Sequence, residues 1–298
     1  MRTSAKPFFY GENSMKPAKT IEEQLKILEE RGLEIQDKER AGQVLRNVNY
    51  YTLTGYLFPF EKDGTYTNEI SFDKMVELYQ FDIRVRKILL SLVSEAETML
   101  KTRIAYTIAI LHKDDPLIYT DINYFRNQAD YNRLMSDFQN AIRNNSEIPF
   151  VRHHVVKYRS QFPIWVAVEL FTLGNIKYFY KNIPSKDRKE ISKTFNVSPQ
   201  TLDSWIDVLR ILRNRLAHNM RLYDTTFQRT PQFEKHHTIK VNNNRLFSSL
   251  IPLKYLLNAN DSWKENLADL QSTIGKYQST IELEKIGFPE NWGDILKN

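Results

Sequence analysis

The sequence predicts an all-α, mainly helical protein, on two observations. Residues 72–111 contain neither proline nor glycine, and Ile88, Leu89, Leu92, Val93, Ala96, Met99, Leu100 and Ile104 follow the i, i+3, i+4 spacing of one helix face. The 298 residues hold only nine glycines, fewer than a doubly wound sheet or a barrel of this length normally wants. A hydrophobic content of 41% with 26% charged residues is that of a globular chain with ample material for a core.

The elements follow in order. A first helix is expected from Thr20, where Thr20-Ile21-Glu22-Glu23 makes a capping box, to Arg31, with Gly32 as its stop. A second follows Asp37 and continues to about Val48. Residues 50–60, dense in aromatic and β-branched side chains, read as irregular or extended. Their aromatics suit packing against the helical body better than stacking on bases. One very long helix, or two joined by a slight kink, covers 72–111. Shorter helices are expected over 131–144, over 163–180 with Gly174 inside, over 186–194 and over 198–223. A polar loop spans 225–244. Pro252 should bend any helix over 246–257, and Asp261 should cap a final helix from Ser262 to about Tyr277. No repeat or Gly/Ser linker interrupts the chain, so any boundary is soft and falls near Gly64. The expected organisation is an N-terminal helical and aromatic module over 1–64, a helical core over 65–225 and a C-terminal helical extension over 226–298.

Composition removes several classes of chemistry. Without cysteine there are no disulfides, thiol nucleophiles or thiolate-bound metals. No stretch approaches the length of a membrane span, and residues 1–15 hold no apolar run that would serve as a secretion signal. A cytoplasmic protein with no membrane partner is expected. A net charge of +6 and a pI near 9.2 favour nucleic acid as an acidic partner.

The most informative stretch is 210–221, with four arginines and a histidine in twelve residues and no acidic residue among them. An ordinary solvated helix face mixes charge signs; this one calls for an anionic partner. At about 100° per residue, Trp205, Leu209, Leu212, Leu216 and Met220 form an apolar stripe. Opposite it lie Arg210, Asn214, His218 and Arg221, while Arg213 stands at the stripe's edge, about 140° from His218. Val208 and Ile211 fall on the polar side beside the histidine. A helix apolar on one face and partly apolar on the other wants a second partner. That implies an interface, for which another copy of the chain is a candidate.

Arg213-Asn214-Arg215-Leu216-Ala217-His218 resembles the Arg, four to six residues, His motif of HEPN-domain ribonucleases. The wider chain is similar to the Abi-like (AbiD/AbiF-type) abortive-infection branch of that group. Four further blocks carry the likeness in order: Lys16-Pro17 through Gln24 and Tyr50-Tyr51 through Phe60; Leu78-Tyr79-Gln80-Phe81-Asp82; His154 to Tyr158 with Pro163-Ile164-Trp165 and Glu169-Leu170; and Gly287-Phe288-Pro289-Glu290-Asn291-Trp292. The similarity spans about residues 16–292.

The resemblance implies a HEPN-type helical bundle and metal-independent RNA cleavage with no cofactor. The RNA 2′-hydroxyl attacks the adjacent phosphorus and leaves 2′,3′-cyclic phosphate and 5′-hydroxyl ends. Arg213 and His218 are then the expected catalytic pair, with Asn214 in support and Arg210 and Arg221 along the RNA backbone. An imidazole ordinarily titrates near neutrality and can take or give a proton, and a guanidinium stabilises charge building on phosphoryl oxygens. With one motif per chain, a composite site would require a homodimer. Some toxin relatives carry a tyrosine two residues after the histidine; Met220 stands there, so chemistry that needs that tyrosine is not carried over.

Other features have plainer explanations. Arg229 and His236 also match the motif spacing, but Pro231 argues against a shared helix. His153-His154 looks like a metal pair, yet no carboxylates are spaced to join it, and the expected metal site is none. Glu95 and Glu97 are expected to form salt bridges with the motif arginines if they approach them. The basic run 186–193 is expected to be solvated surface, with an RNA track as the alternative. Two rival functions stand beside the nuclease: a non-catalytic RNA-binding or protein-interaction module, and a nuclease held silent by an RNA or protein antitoxin until phage infection.

Overall fold

The computed structural model describes residues 17–235, 237, 241 and 243–297. The chain divides into two compact units between Val76 and Glu77.

In the first unit, α1 (Ile21–Glu30) opens with the expected box: Thr20 accepts from the Glu23 amide and Glu23 caps Thr20 in return. It ends at Arg31, and Gly32 takes a positive φ of 85°. Asp37 caps α2 (Lys38–Asn47). The stretch over 50–60 is helical rather than extended: α3 (Tyr50–Thr54) leads into a 3-10 turn over Gly55–Phe60. Leu53, Tyr56, Leu57 and Phe60 are its buried residues, and their i, i+3, i+4, i+7 spacing is a helical face hidden among aromatics. Tyr51 and Phe58 point outward.

Gly64 is the turn of a hairpin, not a boundary. Strands β1 (Glu61–Lys62) and β2 (Thr65–Tyr66) pair antiparallel, with Gly64 at φ 83°. The hairpin is tied back to the end of α1, since Tyr66 N donates to Arg31 O (2.7 Å) and Arg31 Nε to Gly64 O (3.1 Å). Glu34 then bridges to Ser71, so the chain as far as Val76 belongs with the N-terminal helices.

The helix α4 (Phe72–Leu111) runs for 40 residues without interruption, about 60 Å at the usual rise. The second unit continues with α5 (Gln128–Asn144), α6 (Pro149–Lys157) and α7 (Ile164–Ala167). The single helix expected over 163–180 is broken. Thr172 and Asn175 cap each other reciprocally and start a new helix, α8 (Leu173–Asn182), which makes Gly174 a first-turn residue. Next come α9 (Ser185–Lys193) and α10 (Pro199–Ala217). The C-terminal part holds α11 (Leu246–Leu257), α12 (Asp261–Lys276) and α13 (Trp292–Lys297), the last not expected from sequence. Asn260, not Asp261, occupies the cap position of α12.

Nearly every side chain of α11 is buried, as a helix apolar all round requires. α11 packs on α10 and α12, and α13 on α12. Lys254 Nζ donates to Ile295 O (2.7 Å), and the Tyr223 hydroxyl accepts from Glu282 N (3.1 Å). The described residues of 226–297 fall in the same compact unit as the core. Among the described residues no helix is long and apolar enough to cross a membrane.

Candidate active site

The helix α10 carries the motif and is anchored at both ends. At its start Ser198 caps the Thr201 amide (3.2 Å), Pro199 takes the first turn, and the Ser198 amide donates to Glu234. That backbone bond, with the Ser198 and Thr201 hydroxyls, holds the Glu234 carboxyl down to about 2. A group depressed on folding stabilises the fold above its ordinary value near 4.5 and loses that contribution as pH falls toward about 2. Glu234→Gln is therefore expected to melt lower than the parent at pH 7, with the gap closing between about pH 4.5 and 2. Thermal melts of both proteins across that range check it; superimposable curves at pH 7 would refute it.

In the middle, the Trp205 indole donates to Gln232 O (2.9 Å) and stacks on His237 and Tyr255 (ring centroids 5.7 and 5.5 Å). Leu209, Leu212 and Leu216 are buried, as the apolar stripe demands. Val208, expected on the polar side, is buried as well, because α8, α9 and α11 together cover α10 more widely than one stripe. Met220, expected inside, is 52% exposed.

The reason is that α10 stops six residues before the expected end at Tyr223. His218 is the C-cap, and Asn219 turns left-handed at φ 53°. Met220 N donates to Arg215 O (3.0 Å) and Asn219 N to Leu216 O (3.2 Å), the paired bonds of a Schellman closure with asparagine in glycine's usual place. Arg221 is thereby moved off the helix into the following turn, where it is half-buried.

That turn is clamped from α4. Asp82, fully buried, accepts from Leu222 N (2.6 Å) and Tyr223 N (3.0 Å), and Arg86, one helical turn on, donates to Met220 O (2.9 Å). Arg215 closes the other side. It donates to Thr225 Oγ1 (2.6 Å) and Thr226 O (3.1 Å) and lies over the Phe227 ring at 4.6 Å. Burial, followed by the neighbouring charge of Arg221, pushes the Arg215 guanidinium below its ordinary value.

The motif residues thus have unequal surroundings. Arg210 is held by Asp207 through Nε and Nη2 (3.1 and 2.8 Å). Arg215 is committed to the clamp. Arg213 is half-buried and makes no side-chain hydrogen bond or ion pair with another described residue. The same holds for the side chains of Asn214, half-buried, and His218, exposed; the Asn214 carbonyl accepts the His218 amide (3.0 Å). A guanidinium, an amide and an imidazole are therefore presented at one helix end on a braced backbone, with donors unspent. Sequence reasoning missed Asp82, Arg86 and Arg215. Two charged residues spaced i, i+4 inside the apolar run of the long helix were the available signal.

The other features sort plainly. Glu95 accepts from Asn260 and Ser262, and Glu97 pairs with Lys101 (3.0 Å), so both carboxylates serve α4 and α12 rather than the motif arginines. His154 Nδ1 lies 2.9 Å from Phe150 O, and its ring stacks on Phe162 at 5.1 Å. Within the run 186–193, Asp187 is buried between His112 Nε2 (2.7 Å) and the Tyr124 hydroxyl (2.6 Å), and Lys193 pairs with Glu190 (2.7 Å). His236, of the alternative Arg229–His236 match, lies outside the described residues.

The model of the Abi-like protein family matches residues 43–224, more than half of the chain and inclusive of α10 and its clamp. The chain belongs to the Abi-like family. That membership connects this Abi-like protein with abortive infection. No curated protein and no solved structure matches it. Within the family match lie both Asp82 and the Arg213–His218 segment, while the anchor of α10 at Glu234 falls beyond it.

Proposed function

We propose that this Abi-like protein is a metal-independent endoribonuclease of the HEPN type, of the AbiD/AbiF branch, and that it cuts RNA as a homodimer during abortive infection. The observation that carries the reading is the braced helix end, where Arg213, Asn214 and His218 keep their side chains uncommitted while the surrounding arginines are engaged in structure. In the proposed step, His218 takes the proton of a 2′-hydroxyl and O2′ bonds to the adjacent phosphorus. The P–O5′ bond breaks, and the leaving O5′ takes a proton from an imidazolium, supplied by the second copy or by the same histidine. Cyclic phosphate and 5′-hydroxyl ends result. Arg213 donates to the non-bridging oxygens as their charge rises, and Asn214 holds phosphate or imidazole as a neutral donor. A second copy facing the first would double both groups in one cleft, and that doubling is what the dimer contributes.

Purified protein incubated with total RNA in EDTA tests the proposal. Wild type should cut and leave cyclic-phosphate ends, and His218→Ala should fall by about 10²- to 10⁴-fold, the usual contribution of a placed acid–base group. Equal RNA binding with no cutting by either protein would make it a binding module instead.

A further inference from the structure

Toward the start of the motif helix, α8, α9, α10 and residues 228–232 enclose a cleft of about 520 Å³. Every described residue that lines it is polar or charged. Lys177 and Lys181 from α8, Arg188 from α9, Asp203 and Asp207 from α10, and Arg229 from the loop carry its charge, and glutamine, serine and threonine complete it. Four cations thus face two carboxylates.

Those charges are not matched one to one. Asp207 is heavily subscribed: it meets Lys177 Nζ at 2.6 Å, Arg210 Nη2 at 2.8 Å and Arg229 Nε at 3.7 Å. Burial alone would raise its carboxyl, but Lys177 and Arg210 outweigh that and hold it below the ordinary value. Asp203 is the opposite case. Its Oδ1 is buried with no hydrogen-bond partner among the described residues, and so is Nε of Arg188, whose guanidinium lies over the Tyr180 ring at 5.1 Å. Burial pushes the Asp203 carboxyl up, against the pull of Arg188, Lys181 and Lys177, yet none of these cations forms an ion pair with it. Asp203 Oδ1 and Arg188 Nε are closed to solvent, so it is the other carboxylate oxygen of Asp203 and the terminal nitrogens of Arg188 that the cleft presents.

A ligand that answers the four lining cations and the Asp203 carboxylate, which is in no ion pair among the described residues, is anionic on one side and a hydroxyl or amine donor on the other. The surplus of cations selects phosphate. Among the described residues no aromatic side chain lines the cleft, so a base would find only the guanidinium planes of Arg188 and Arg229 to stack on. A ribose phosphate has both required faces, and a carboxylate accepting from a ribose hydroxyl is an established way to recognise that sugar. Position on the helix supplies the link to the motif. Asp203, Asp207, Arg210 and Asn214 are spaced i, i+4, i+7, i+11, so one polar stripe of α10 runs from the cleft to the motif.

We propose that the cleft is a subsite for a ribose-phosphate unit of the same RNA strand that reaches Arg213 and His218. Its phosphate lies against Arg188, Lys181 and Arg229, and its ribose hydroxyl donates to Asp203. The identity of the strand rests on the ribonuclease reading; occupancy of the cleft does not require cutting.

The test uses the full chain carrying His218→Ala, so that binding is read without cleavage. Anisotropy of a labelled oligoribonucleotide and of the DNA of the same sequence gives the affinities, with ribose 5-phosphate and inorganic phosphate as competitors. RNA should bind about fivefold or more tighter than DNA. Adding Lys181→Glu or Arg229→Glu should weaken both strands about tenfold. Asp203→Asn should pull the RNA-to-DNA ratio toward one, and ribose 5-phosphate should compete better than phosphate. Equal affinity for RNA and DNA, unchanged binding in both charge reversals, or equal competition by inorganic phosphate each overturns the subsite. Cutting by the His218 protein with normal binding by the cleft variants sinks the subsite alone. Specific binding without cutting sinks the nuclease alone.

Discussion

Asp82→Asn is expected to cost about 3 kcal/mol of stability and to cut any activity of the motif by about 10- to 100-fold. The carboxylate is fully buried and receives two backbone amides, from Leu222 and Tyr223, directly after the helix that bears Arg213 and His218. Asparagine has one acceptor where the carboxylate has two, so its amide nitrogen would face a backbone N–H. Hydrogen bonds to charged groups contribute about 1.5 to 3 kcal/mol each, and a buried donor left without a partner forfeits its solvation as well. The functional loss follows because the 219–223 turn sets where α10 ends, and a shift of about 1 Å at a reacting group can cost a hundredfold. Urea denaturation measures the first effect, and cleavage assayed where the variant is still folded measures the second. A midpoint equal to the parent's would show that the clamp is not needed.

Arg213→Ala should lower cleavage by about 10²- to 10³-fold with little change in melting temperature, the loss seen when one donor to a developing oxyanion is removed. The guanidinium makes no bond to a described residue that the fold would miss. Arg215→Ala should behave the other way round. It deletes the bonds to Thr225 and Thr226 and the contact with Phe227, so the protein should melt earlier, and its chemistry should suffer only through that loosening. The comparison matters because the two arginines are two residues apart and indistinguishable by charge. Toxicity on overexpression provides a cellular readout: it should vanish with Arg213→Ala, and a variant as toxic as wild type would remove Arg213 from the chemistry. Arg213→Lys should recover only part of the activity, since an ammonium lacks the planar fork.

Much of the fold was legible because its signals are local. The Thr20–Glu23 box, Asp37 and Ser198 each state a helix start in side chains that cap within three residues. The run 72–111 declares one helix by what it lacks. Where expectation and structure part, the deciding interaction was either disguised or distant. Aromatics over 50–60 mask a helical face at Leu53, Tyr56, Leu57 and Phe60. Thr172 and Asn175 cap a helix inside what reads as a continuous one. The end of α10 carries Asn219 where a glycine would have announced it, and the turn is fixed by Asp82, 140 residues earlier in the chain. The candidate site was legible as residue types at a spacing. Its division of labour was not, because whether an arginine braces or stays uncommitted depends on partners such as Asp207, Thr225 and Phe227, which spacing on one helix cannot reveal.

Fastening α10 at Ser198 and again beyond His218 turns it into a gauge. Between Asp203 and His218 the rise of the helix sets a fixed interval of about 22 Å. A strand seated at one mark would meet His218 a constant length away. The place of its breakage would then be decided by distance along the backbone more than by the letters it carries.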